Sequence, residues 1–94
     1  LQEFGKRFFP NTHYINFEKN KSFLTIFEES LDPKKIIQKL NFKLATQIDI
    51  HQDLLIFDEI QECPRALTSL KYFAEEMPEM AVCTAGSLLG LHLG

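Results

Sequence analysis

The first apolar spacing in the chain is helical: Leu1, Phe4 and Phe8 recur at intervals of three and four before Pro10-Asn11-Thr12 supplies turn chemistry. Residues 1–9 therefore read as the tail of a helix. Over His13-Tyr14-Ile15-Asn16-Phe17-Glu18 the period changes to alternation and β-formers predominate, which predicts a strand at residues 14–18 with one face wetter than the other. Helical spacing returns with Phe23, Ile26 and Phe27. Asp32-Pro33 then offers a capping carboxylate followed by a proline at the first helical position. The helix predicted from there buries Ile36, Ile37, Leu40 and Leu44 and leaves Lys34, Lys35, Lys39 and Lys43 in water. Residues 48–53 show no period and read as a loop.

Leu54-Leu55-Ile56-Phe57 is an unbroken apolar run that stops at Asp58-Glu59, and such a run predicts a strand over 54–58 buried on both faces, as in a parallel sheet. Pro64 opens a further helix with Ala66, Leu70, Phe73 and Met77 inward and Leu67 and Ala74 flanking, and Pro78 closes it. A third strand is predicted over 80–85, ending at Gly86-Ser87. Strands alternating with helices define an α/β class: a three-layer αβα arrangement with a mainly parallel sheet and right-handed crossovers. No repeat, linker or low-complexity stretch interrupts it.

Ninety-four residues allow one domain or a piece of a larger one. Hydrophobic residues at 45%, nine of them Phe, are enough for a core and exclude wholesale disorder. The net charge of −3 gives no basic field to follow a phosphate backbone, so nucleic acid is disfavoured as a ligand. Cys63 and Cys83 lack the spacing of a zinc site or disulfide framework, which points to a reducing, cytoplasmic setting. No apolar run approaches membrane-spanning length, and the first residues do not read as a signal peptide. The chain opens on Leu1 where a complete product opens on Met, so the natural amino terminus is expected upstream.

The chemistry concentrates at Asp58-Glu59. Two carboxylates at the carboxyl end of a buried parallel strand occupy the place where open α/β sheets bind ligands. A carboxylate there can hold Mg²⁺ while its neighbour accepts a proton from an attacking water, the Walker B arrangement of nucleotide hydrolases. The plainer alternative is that both acids cap the following turn.

The stretch from Leu54 to Pro64, the helix after it, and Ala85-Gly86-Ser87 together resemble a family of prokaryotic AAA+-like P-loop ATPases. In that family the acidic pair is followed by Ile-Gln and a proline, as in Ile60-Gln61 and Pro64, and the next strand ends in Gly-Ser. The resemblance extends over residues 1–94, is most specific over 54–90 and is weak over 22–53. It implies a partial P-loop NTPase fold that binds ATP and Mg²⁺ in the complete protein, with Asp58 on the metal and Glu59 polarising the hydrolytic water. It further implies Ser87 as a polar sensor of the γ-phosphate, with Thr84 the second candidate, and a carboxy-terminal domain of unknown function beyond the ATPase domain. The residues alone leave alternatives: Ser87 as a helix cap, Gln61 as a surface residue or a brace behind the site, Arg65 as an arginine finger or a solvated side chain.

A phosphate-binding loop, Gly-x-x-x-x-Gly-Lys followed by Ser or Thr, is missing: the glycines are Gly5, Gly86, Gly90 and Gly94, and nothing before Gly5-Lys6 could form one. The resemblance places that loop just upstream of Leu1, so residues 1–94 are expected to be a partial ATPase domain truncated at both ends and inactive in ATP hydrolysis alone. The sheet is expected to set 14–18, 54–58 and 80–85 side by side, with the loop strand beyond 80–85. That bare edge would invite self-association. The competing reading is a non-catalytic remnant acting as a protein-interaction module.

Overall fold

In the computed structural model, which describes residues 9–86, the unbroken apolar run forms the middle strand of a parallel sheet. Strand β2 (Leu54–Asp58) pairs on one side with β1 (Thr12–Asn16) and on the other with β3 (Ala81–Thr84). A 3-10 turn (Lys21–Phe23), helix α1 (Leu24–Glu29) and helix α2 (Pro33–Leu44) connect β1 to β2, while a 3-10 turn (Ile60–Glu62) and helix α3 (Pro64–Glu76) connect β2 to β3.

Right-handed crossovers that step the same way across a sheet carry their helices to the same face. The packing agrees, because the buried cluster joins Phe27, Ile36, Leu40, Ala66 and Phe73 to Leu55 and Phe57 and leaves out Leu54 and Ile56. Those two are buried nonetheless. The fold is α/β, a three-stranded parallel sheet flanked by helices and consistent with part of a P-loop nucleotide-hydrolase fold. The second helical layer of the expected αβα arrangement has no counterpart among the described residues, and the helix expected over 1–9 lies almost wholly outside them. Phe57 is the hub of the core: the rings of Phe17, Phe27 and Phe73 meet it edge-on at 5.6, 5.5 and 6.3 Å, the offset that aromatic quadrupoles favour.

Local chemistry fixes the helix ends. Asp32 accepts the Lys34 amide at 3.1 Å with Pro33 in the first turn of α2, and Ala45 closes that helix in the left-handed region at φ 52°. In α3 Ala66, Phe73 and Met77 are buried and Leu70 packs against them. Leu67 and Ala74 are exposed; the inward place belongs to Ser69, whose hydroxyl satisfies itself by donating to the Ala66 carbonyl at 2.6 Å.

Two strand boundaries differ from the sequence reading. The first strand occupies Thr12–Asn16 rather than 14–18, because the Asn16 Oδ1 accepts the amides of Glu18 and Lys19, both at 2.9 Å, and turns the chain out of the sheet. The third occupies Ala81–Thr84 rather than 80–85 because Met80 donates to Met77 at 3.1 Å within the preceding turn.

Candidate functional site

Asp58 is the last residue of β2 and is half-buried. Alternation along the strand sends its side chain to the face opposite Phe57. Tyr14, paired with Ile56 on the neighbouring strand, lies on the face of Asp58 and donates its hydroxyl to Asp58 Oδ2. Asn16 Nδ2 donates in turn to the Tyr14 hydroxyl at 3.4 Å. The bond to Asp58 is the main cause that raises the Tyr14 pKa above its ordinary value, against a lowering contribution from Asn16. Asp58 Oδ1 accepts the Glu59 amide at 2.8 Å.

Glu59 has φ 52° and ψ 47°, a left-handed conformation that costs a non-glycine residue about 1–2 kcal/mol. The geometry around it explains what holds it there. Ala85 donates to the Phe57 carbonyl at 3.0 Å and Ile60 donates to the Ala85 carbonyl at 3.1 Å, so the chain after β3 is fastened on both sides of the acids. Between those two bonds Asp58 stays in the ladder, its carbonyl accepting the Phe17 amide at 3.1 Å, and the chain leaves the strand at Glu59. Gln61 Nε2 donates to Glu59 Oε1 at 2.7 Å. Gln61 Oε1 is buried and has no hydrogen-bond partner among the described residues. It sits against Gly86, where an added Cβ would come within 2.5 Å of it.

The remaining residues singled out in the sequence fall elsewhere. Thr84 is paired with Phe57 and so stands on the helix-covered face, lining a hollow of about 290 Å³ with Leu70, Phe73 and Val82. Its side chain and that of Asp58 leave opposite faces of the sheet. Ser87 lies outside the described residues. Arg65 is exposed, but its Nε donates to the Phe27 carbonyl at 2.7 Å, which satisfies the last turn of α1. Tyr14 was not visible as a site residue in the sequence; only the parallel register, which brings β1 alongside the acidic end of β2, reveals it.

The opposite end of β2 carries another carboxylate. Asp53, 2% exposed, accepts His13 Nε2 at 2.8 Å and the Asp49 amide at 2.9 Å, with Asn11 Nδ2 at 3.5 Å. Burial pushes its pKa up most strongly, but the Asp49 amide, His13 and Asn11 together outweigh burial and the net value is lowered. The aperiodic pattern of residues 48–53 predicts only a loop, since nothing in it announces partners some forty positions away.

Among the described residues no group of three or more His, Cys, Asp or Glu side chains could hold a metal ion unaided. Mg²⁺ is generally held by one or two carboxylates and completes its octahedron with phosphate oxygens and water. Asp58 keeps free lone pairs on both oxygens beyond the single bond that each accepts.

An open parallel α/β sheet whose middle strand presents carboxylates at its carboxyl rim is the framework of a nucleotide-binding domain. Residues 1–94 match a family model described as an AAA domain, and the chain belongs to that family, which is ATPase-like and depends in general on ATP and Mg²⁺. No curated protein and no solved structure matches the chain. No helix among the described residues is long and apolar enough to cross a membrane.

Proposed function

We propose that this chain supplies the Walker B and sensor portion of an AAA-type ATPase domain. The observation that carries the reading is the placement of Asp58 as the last residue of the central buried strand with Glu59 at the turn directly after it. Asp58 would hold Mg²⁺, and Glu59 would orient a water and accept its proton. When bound, Mg²⁺ neutralises charge on the phosphate oxygens. Ser87 follows Gly86 directly and is favoured over Thr84 as the sensor, because Thr84 stands on the helix-covered face. Two free cysteines suit a cytoplasmic setting.

The sequence holds no Gly-x-x-x-x-Gly-Lys-Ser/Thr loop, so these 94 residues do not themselves supply the amide cradle for the phosphates. The partner implied is a nucleotide in the complete protein, with nucleic acid disfavoured for this segment. A second reading, a protein-interaction module, rests on β3, which pairs only with β2 among the described residues. Its exposed edge would self-associate, and a concentration-independent monomer in sedimentation would count against that.

The test is hydrolysis. The 94-residue chain is expected to show only background ATP turnover, and the same chain extended by a phosphate-binding loop is expected to hydrolyse ATP with Mg²⁺. In the latter, Glu59→Gln should retain nucleotide binding, seen as ligand-dependent thermal stabilisation, and lose turnover. Equal turnover with and without Glu59 would remove the assignment.

A further inference from the structure

Glu59 is held by one side chain, and that side chain is itself held in an unfavourable place. Gln61 Nε2 donates to Glu59 Oε1 at 2.7 Å. Flipping the amide would set oxygen against oxygen, so this orientation is fixed by the carboxylate. The other end of the amide, Oε1, is then buried without a partner among the described residues, a state that polar groups normally avoid. It faces Gly86, where an added methyl group would stand 2.5 Å from it. One residue earlier, Ala85 accepts the Ile60 amide at 3.1 Å, tying the turn that carries Gln61 to the end of β3.

We propose that Gln61 is the positioning residue for Glu59 and that Gly86 sets Gln61, so that the end of β3 and the acidic side chain form one mechanical unit. The proposal rests on the reading of Glu59 as the water-activating acid. Displacing the strand end at Gly86 opens the seat of Gln61 Oε1 to water. Gln61 can then turn to satisfy that oxygen, and Glu59 loses its brace. A larger residue at this point would push Gln61 Oε1, the end of a flexible side chain, out of its seat without disturbing the backbone around it.

The link can be read in the 94-residue chain by nuclear magnetic resonance, with no need for turnover. In the wild type the Gln61 side-chain amide is expected to exchange with solvent at least about tenfold more slowly than those of Gln38 and Gln52, which are exposed. Gly86→Ala should abolish that protection and shift the Glu59 carboxyl carbon resonance to its position in Gln61→Ala. Gln61→Met fills the seat without a donor or an acceptor; it should shift the Glu59 resonance the same way without lowering the melting midpoint. A Glu59 resonance unmoved by both Gly86→Ala and Gln61→Met overturns the proposal. If Gly86→Ala fails to fold, Gln61→Met alone decides it. The parent reading is decided separately, by whether Glu59→Gln loses ATP turnover in a chain that carries a phosphate loop, while the response to substitution decides the Gln61 link whichever way that falls.

Discussion

The two ends of β2 each present a carboxylate, and they are built in opposite ways. At the amino end, Asp53 is buried and faces three donors: the His13 ring, the Asp49 amide and the Asn11 amide group all point at it. At the carboxyl end, Asp58 and Glu59 remain part-exposed, Glu59 sits in a strained backbone conformation, and the side chain that braces it leaves one oxygen unsatisfied. The first arrangement locks a loop. The second leaves lone pairs and strain where a ligand can use them, as expected when a site is held by the surrounding fold rather than by its own bonding.

The comparison can be broken at several points. The largest effect belongs to the carboxyl end: in a chain that contains the phosphate loop, Glu59→Gln should lower ATP turnover about 10²–10⁴-fold, the range for loss of a general base, with little change in melting. Asp53→Ala should do the reverse, lowering unfolding free energy by about 2–4 kcal/mol in urea titrations while leaving the Asp58 end intact, because it strands buried donors. The Asp53 pKa is lowered in the folded state, so its contribution is present above the unfolded value and is lost as pH falls through the folded one. Stability should therefore fall below about pH 4, and Asp53→Asn should flatten that acid limb.

Smaller effects sharpen the contrast. Glu59→Gly should raise stability by about 0.5–1 kcal/mol by relieving the left-handed strain, so that the site's own acid is a net burden on the fold. The exposed ion pair of Lys21 with Glu62, at 2.8 Å beside the same turn, is the control: Lys21→Ala should change stability by no more than about 0.5 kcal/mol.

The central strand and the two long helices were legible because their signals are local. Four consecutive large apolar residues, a capping Asp before a proline, and a 3.6-residue stripe each fit within a short window. The start of β1 was less legible, since the alternation from His13 to Glu18 does not say where the ladder begins, and the Asn16 side chain ends the strand with Phe17 still in the core. For the site, the acidic pair was readable as a motif at a strand end. Its supports were not. Tyr14 reaches Asp58 only through the parallel register, Asp53 is buried only by partners distant in sequence, and the Gly86 seat depends on the chain after β3 folding back over the turn at Ile60.

Phe57, the meeting point of the edge-on rings, is covalently joined to Asp58. The hydrocarbon interior thus ends one peptide away from the site, with no hinge between them. Warming that loosens the ring contacts should blur the aim of the acids before the chain as a whole gives way, and the Asp58 and Glu59 amide resonances should shift at temperatures where circular dichroism still reports an intact fold.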